Sequence, residues 1–399
     1  KQNDEFMGVN RIIEKKGLDK CRKVLGPTYC EDVGIHRASG LAFISCDPSR
    51  PYFNSVLGFG NSSMAKGDGS IWMYDLNSNA SPILLTTDFK KPFHPVGLSI
   101  APLGVTPIKT AVAPLLFTLV VVNHNDNDNR TVEVFDFRSD TKSLIHRKTI
   151  SSPHISSPNR VAAVTYQPSV DGIPSFFVSN DHYFTNSRWR RVERYTAAAF
   201  GSVSFYNARA DKAMVIGWRH QHPSGIAATE DASQIFVSDT WSGNVVEYRA
   251  HFFNREILND KINTSGGQVT IIWPLYLTTN SVTADYAVTG VDFDPLSNDL
   301  YIVGHPKFRD FIAHAESLAT GNYSSRISPS LVTKITHIPS KSNDHDGNIF
   351  VRKKYTAETF FEDDGTTFGS SSGVAVDALR NKLLIVGSYE SGFMECKLN

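Results

Sequence analysis

The chain has no surplus of either charge, since 40 lysines and arginines face 40 aspartates and glutamates. A protein that tracks a nucleic-acid backbone or an anionic membrane needs a basic excess, so neither partner is expected. No stretch approaches the roughly 20 consecutive apolar residues of a membrane span. Signatures of the commoner hydrolases are not expected either: no H-E-x-x-H, no clustered Cys/His spacing for zinc and no nucleophile elbow. His124-Asn125-Asp126-Asn127-Asp128-Asn129 has the Asp/Asn alternation of a calcium loop but not the glycine and terminal glutamate of an EF-hand. It reads as a polar hairpin turn.

Cysteine is scarce, four in 399 residues, and the number is even. Five N-x-S/T sequons, at Asn61, Asn79, Asn129, Asn263 and Asn322, accompany it. Together with a first residue, Lys1, that suggests a removed leader, they point to a secreted glycoprotein in an oxidising compartment.

What the chain does have is a repeating unit. The clearest copy is Pro223–Tyr248, PSGIAATEDASQIFVSDTWSGNVVEY. A short strand opens with a small residue and glycine, a polar turn follows, and two more alternating strands complete the copy. Openings of the same kind stand at Gly40, Gly97, Arg160 (without the glycine), Gly225, Gly290 and Gly373, spaced 57, 63, 65, 65 and 83 residues apart. Six four-stranded units of this length consume the chain. The expected fold is an all-β, six-bladed β-propeller with a central tunnel, one domain over 21–399 behind a charged segment, 1–20, of which Arg11–Lys20 is read as a short helix. Residues 40–76 supply the first blade. Ser187–Phe200, rich in arginine, reads as a helical insertion over one face, either a solvated basic surface or a lid. Cys21 and Cys396 lie where the ring must close, and Cys30 and Cys46 bracket the first strand. Two disulfides are expected there, free buried thiols being the alternative.

Several stretches carry a family resemblance: Glu31-Asp32 before GLAFIS (Gly40–Ser45), LVVVNH (Leu119–His124) before TVEVFDF, SNDHYF (Ser179–Phe184), His305-Pro306, and the closing KLLIVGS and FMECKL. On these the chain resembles the serum paraoxonase/arylesterase family from Cys21 to Cys396. The resemblance implies a secreted, calcium-dependent lactonase or esterase. In such an enzyme one calcium polarises the ester carbonyl, a second is structural, and a histidine serves as base.

The residues that should carry this chemistry are largely replaced. Of the implied catalytic-calcium ligands, Glu31 and Asn159 remain, while Ser224, Thr289 and Gly290 stand where the family has Asn, Asp and Asn. Val96 stands at the base histidine, with His94 two residues earlier. At the structural site Asp32 remains, but Arg160 stands for the second carboxylate. Calcium takes six to eight oxygens with compensating carboxylate charge, so no metal cofactor is expected, calcium entering only if the hydrolase reading holds.

The residue before each opening glycine is expected to face the tunnel, which names Ser39, Val96, Asn159, Ser224, Thr289 and Ser372. Glu31, His94, Asp181, His182, Trp218, His222 and His305 are placed around them, with Glu31, His94 and His222 as candidate catalytic groups. Such a pocket suits a small organic molecule. Some fungal secreted proteins resembling this family act as hetero-Diels–Alderases, joining a tropolone ortho-quinone methide to a sesquiterpene alkene. That activity is the leading expectation. The alternatives are a calcium-dependent lactonase/arylesterase and a non-catalytic binding propeller; oligomeric state is not indicated.

Overall fold

A computed structural model describes residues 2–60, 62–64, 67–101, 116–125, 130–185, 187–251, 259–264, 267–272, 275–321, 327–338 and 354–399. Within a few of these elements the side chains are not described. The described residues form six blade sheets arranged as a β-propeller, antiparallel but for one short parallel edge at Thr86–Thr87, and two separate two-stranded ribbons. Each blade begins at the axis with a short strand: Cys30–His36, Pro95–Ile100, Pro158–Val164, Pro223–Ala228, Ala287–Asp294 and Ser371–Asp377. These six pack side by side around the tunnel, each against the next and the sixth against the first.

The glycine period has a steric cause. A Cβ on Gly225 would lie 2.7 Å from the amide nitrogen of Val291, and one on Gly290 would lie 2.6 Å from the carbonyl oxygen of Ser372. Neighbouring inner strands approach too closely there for any side chain. The apolar strand residues pack between the blades, as where Val96, Val120 and Val134 of blade 2 meet Val161 and Val178 of blade 3.

The first blade departs from the sequence reading. Gly40 stands at the hairpin end before Leu41–Cys46, the second strand, and the inner strand is Cys30–His36. Ser39 therefore lies on the His36–Leu41 hairpin, where its hydroxyl is 2.8 Å from His36 Nδ1, and Glu31 takes its place on the tunnel ring. With Asp32 as the opening residue the first spacing becomes 65, matching its neighbours.

The ring closes through its last blade, whose outer strand is the N-terminal Cys21–Thr28. Cys21 pairs in register with Cys396 and is bonded to it; Cys30 and Cys46, paired in blade 1, form the second disulfide. Arg11–Lys20 is not an α-helix, its one helical stretch being the 3-10 turn Leu18–Lys20. Gly17 sits at φ 74°, and Lys16 exchanges backbone hydrogen bonds with Glu362, so the segment runs extended along blade 5. Among the described residues three α-helices lie outside the blades: α1 (Gln2–Phe6), α2 (Ser187–Thr196) and α3 (Phe308–Thr320). The last was not anticipated, although Phe308, Phe311, Ala315 and Ala319 recur at helical spacing and are its buried face.

Candidate functional site

Two cavities lie along the axis and share no lining residue. The upper one, at the N-terminal ends of the inner strands, is walled by Glu31, His222, Ser224, Thr289, His305 and Ser388, and closed by Leu57, Trp241, Phe308 and Phe311. The space enclosed is about 30 Å³, room for one or two waters. His305 is buried with its ring 3.5 Å from that of Phe311, nearly parallel. Burial depresses its pKa to about 3 and keeps the imidazole neutral.

Between the cavities lies a charged layer. Arg160 is buried and reaches across the tunnel, passing over Gly97, where a Cβ would stand 3.0 Å from its Cδ. Its guanidinium pairs with Asp32, lies 3.3 Å from Glu31 and donates to the Ser372 carbonyl at 3.1 Å. Arg50, also buried, brings a second guanidinium within 3.1 Å of Glu31, and Ser388 donates to the same carboxylate at 2.8 Å. Asp32 also accepts from the Leu98 amide at 2.9 Å; burial pushes its carboxyl up, against the pull of Arg160.

Behind the upper cavity sits a second buried cluster. Asp181 accepts from Arg130 through both oxygens at 3.1 Å, from Ser157, and from Asn159 at 3.3 Å. His182 Nδ1 is 2.9 Å from it, and the His182 and His222 rings meet edge to face at 4.9 Å. Burial raises the Asp181 carboxyl, but Arg130 and the histidines outweigh it and hold the group well below the carboxylate range. Among the described residues Asp181, His182 and His222 also converge closely enough to share a metal ion, but Arg130 Nη1 already engages both carboxylate oxygens.

Five of the sequence-predicted residues thus meet at the upper cavity: Glu31, His222, Ser224, Thr289 and His305. Asn159 joins it to Asp181 by accepting from Ser224 at 3.3 Å. Ser372 donates to the Cys30 carbonyl, and Val96 is packed in the core between blades 2 and 3. His94 is buried against Asp47 at 3.0 Å and does not line the cavity. Trp218 is also apart: it is 57% exposed on the outer strand of blade 3, beside Tyr183, Phe184 and Phe200. The sequence Gly369-Ser370-Ser371-Ser372-Gly373 does spell G-x-S-x-G, contrary to expectation. Its central Ser371 lies in an inner strand and donates to the Gly304 carbonyl, so it is no strand-to-helix elbow.

Of the arginines in α2, Arg190 is buried, bonds the Ser55 carbonyl and approaches Asp181 to 4.0 Å; the side chains of Arg188, Arg191 and Arg194 lie outside the described residues. Asn79 is exposed. Asn61, Asn129 and Asn322 lie outside the described residues, as does the Asp126–Asn129 part of the polar turn, and the Asn263 side chain is not described.

The strands form a six-bladed β-propeller with a buried charged layer at its hub, and sequence comparison gives the family. The arylesterase family model matches residues 21–398. Serum paraoxonase/arylesterase 2 of Bos taurus is 26% identical over 395 residues, covering 98% of this chain and 92% of the bovine protein. Its Gallus gallus counterpart is 31% identical over 250 residues, 61% of this chain and 63% of that protein. Serum paraoxonase/arylesterase 1 of Mus musculus is 29% identical over 200 residues, 50% of this chain and 48% of that one. The chain belongs to the arylesterase family.

The calcium that membership implies does not fit the residues present. Where Asp32 should meet a cation it meets the Arg160 guanidinium, and Glu31 is held between that group and Arg50. An ion placed there would displace two fixed positive charges and find a single side-chain amide, Asn159, already engaged by Ser224 and Asp181.

Proposed function

We propose that this chain is a secreted, N-glycosylated enzyme that acts on small organic molecules at the upper cavity without a resident calcium. Its reaction is the hetero-Diels–Alder addition of a tropolone ortho-quinone methide to a sesquiterpene alkene. The observation that carries the metal-independent part is the pair of guanidiniums on Glu31. They leave the hub with fixed hydrogen-bond donors and no vacant Lewis-acid position.

A cycloaddition needs two partners held in register and donors on the diene's carbonyl oxygen. His222 lines the cavity as such a donor, the hydroxyls of Ser224, Thr289 and Ser388 giving their protons to Asn159, the Ser372 carbonyl and Glu31, and Trp241, Phe308 and Phe311 offer an apolar wall for the alkene. His222, next to the Asp181–His182 pair, is the acid–base group that would protonate the departing hydroxyl, which leaves as water, and take back the proton that the tropolone's own hydroxyl gives up as the quinone methide forms. Glu31, neutralised by two arginines, serves to hold them in place, and His94 positions Asp47 outside the cavity. Because the cavity encloses only about 30 Å³, entry of both partners requires Leu57 and Phe311 to swing aside. Replacing Leu57 with alanine should then raise turnover of bulky substrates.

Two other readings each have an observation behind them. Family membership with Glu31 and Asn159 retained favours a calcium-dependent lactonase or arylesterase. The small enclosed volume favours a binding propeller without catalysis. Incubating the protein with a tropolone carbinol and humulene, and separately with phenyl acetate and a lactone, each with and without chelator, separates all three. Chelator-insensitive adduct formation above the spontaneous rate supports the proposal. Chelator-sensitive hydrolysis supports the hydrolase, and turnover of none supports the binding protein.

A further inference from the structure

Aromatic side chains form a cup on blade 3, at the same end of the propeller as the upper cavity. Tyr183 and Phe184 follow the blade's second strand, Ala199 and Phe200 precede its third, and Trp218 and Arg219 lie near the end of its outermost strand. The cup holds about 300 Å³ and shares no lining residue with either axial cavity, a volume at the small end of ligand pockets. Phe184 is partly buried at its centre, the ring 5.3 Å from that of Tyr183 and 6.3 Å from that of Phe200. Tyr183, Phe200 and Trp218 are at least half exposed. Single exposed aromatics are ordinary, but a concave group of four is a wetted apolar surface that a ligand would cover.

The strand is bent to complete this cup. Gly201 pairs with His220 and Ser202 with Trp218, so Arg219 is the extra residue of a β-bulge, and it sits at φ +70°. A residue other than glycine holds that conformation at a cost. Consecutive strand residues ordinarily face opposite ways, whereas here Trp218 and Arg219 line one pocket. Arg219 is exposed, and its guanidinium has no hydrogen-bond or ion-pair partner among the described residues. Glu193, a carboxylate that meets the cup's backbone, is buried and spent on the amides of Tyr183 and Phe184 at 3.1 to 3.3 Å.

We propose that the cup is a binding site for a planar aromatic anion, whose ring lies among Phe184, Phe200 and Trp218 and whose carboxylate meets Arg219. Aromatic walls favour a flat ring over an aliphatic chain, by stacking or edge contact. They would also attract a cation, but Arg219, the charged residue of the wall, repels one and pairs with an anion. Solvent reaches this guanidinium, so a carboxylate does too.

The probe is 2-naphthoate, with 2-acetylnaphthalene as its neutral counterpart and decanoate as the anion without a ring. The readout is the indole N–H NMR spectrum of the full chain labelled at tryptophan. The Trp218 peak, assigned with Trp218→Phe, should shift saturably with naphthoate, and that of Trp241, in the roof of the upper cavity, should not. The ketone and decanoate should each bind about fivefold more weakly, the scale of one exposed ion pair or one ring contact. Arg219→Gly keeps the bulge, since glycine suits its φ, and should bring naphthoate down to the ketone's affinity. In the parent protein, salt at about 1 M should close the same gap. An unmoved Trp218 peak, a Trp241 peak moving in step with it, or Arg219→Gly binding naphthoate like the parent would each overturn the proposal. So would the ketone or decanoate binding as tightly as naphthoate. None of these readouts depends on which reaction, if any, the upper cavity performs.

Discussion

Arg160 is the side chain whose removal should cost most. It faces Glu31 and Asp32, and only Arg50 would remain to neutralise them. Arg160→Met leaves Asp32 buried with the Leu98 amide as its remaining donor outside its own strand pair, and breaking a buried pair from one side costs about 3–5 kcal/mol. At about 2.1 cal/mol/K of unfolding entropy per residue over 399 residues, that loss moves the thermal midpoint down by about 4–6 °C. Arg160→Asp is the more telling change. It sets a second carboxylate beside Asp32, next to the Ser372 carbonyl that the guanidinium now occupies, and so builds an oxygen-rich cation site. In chelator this variant should be less stable than Arg160→Met. With calcium at 100 times its dissociation constant it should regain about 2.7 kcal/mol. Paired thermal scans in calcium and in chelator give the answer, the parent protein showing no difference between them. A calcium-raised midpoint in the parent protein, or an Arg160→Met variant as stable as the parent, would refute the reasoning.

Removing the Cys21–Cys396 bond, which spans 375 residues, should destabilise the protein about twice as much as removing Cys30–Cys46, which spans 16; chain entropy assigns about 6 and about 3 kcal/mol, and urea midpoints of the two double-alanine variants test the order. The depressed pKa of His305 means that the unfolded chain binds its proton first. Its contribution to stability is whole above about pH 6.5 and falls as pH drops toward about 3. His305→Phe should therefore flatten stability against pH between 4 and 6 by about 1.4 kcal/mol per unit, leaving the slope due to His124, also held well below its ordinary value. Asp181 works in the acid range: its contribution is whole above about pH 4 and is lost as pH falls through its depressed folded value. Arg130→Met should start that loss at higher pH, besides costing about 3–5 kcal/mol at neutrality.

The ring architecture was legible because close approach of inner strands demands glycine at a fixed period, and Gly97, Gly225, Gly290 and Gly373 all meet that demand. Blade 1 misled for the same reason. Its tunnel position is Asp32, which needs no glycine because it fills the axis with Arg160, while Gly40 offers a glycine on a neighbouring hairpin where φ is +75°. Helix α3 left a periodic trace, Phe308, Phe311, Ala315 and Ala319, which the strand alternation on either side obscured. Arg50 and Arg130 left none. Their partners Glu31 and Asp181 lie 19 and 51 residues away, and the folding of blade 1 and the packing of blade 2 beside blade 3 bring them together. Trp218 shows the converse: an aromatic near a tunnel strand in sequence is, on the outermost strand of its blade, remote from the axis.

A propeller presents the unpaired edges of its inner strands to the tunnel, so something charged or wet must stand at the axis. A cation held by carboxylates answers that need reversibly, since it can leave and it can also bind a substrate oxygen. A guanidinium on the chain answers it permanently: it never deprotonates, and its planar fork meets two carboxylates and a peptide carbonyl at once. On the proposed reading, structural independence from calcium and loss of a Lewis acid would both trace to Arg160, so that stability and chemistry could not be tuned separately there. Gly97 is the hidden condition, because a methyl group at that position would stand 3.0 Å from Arg160 Cδ and 2.6 Å from its Cα. Gly97→Ala should then unsettle the hub in either background, because its two tightest contacts, 2.5 Å to the Asn159 carbonyl oxygen and 2.6 Å to Arg160 Cα, are with backbone that Arg160→Asp keeps, and only the 3.0 Å contact with Cδ is relieved. The coupling in that double-mutant cycle should therefore be small beside the Gly97→Ala cost itself, and a cost that disappears in the Arg160→Asp background would contradict it.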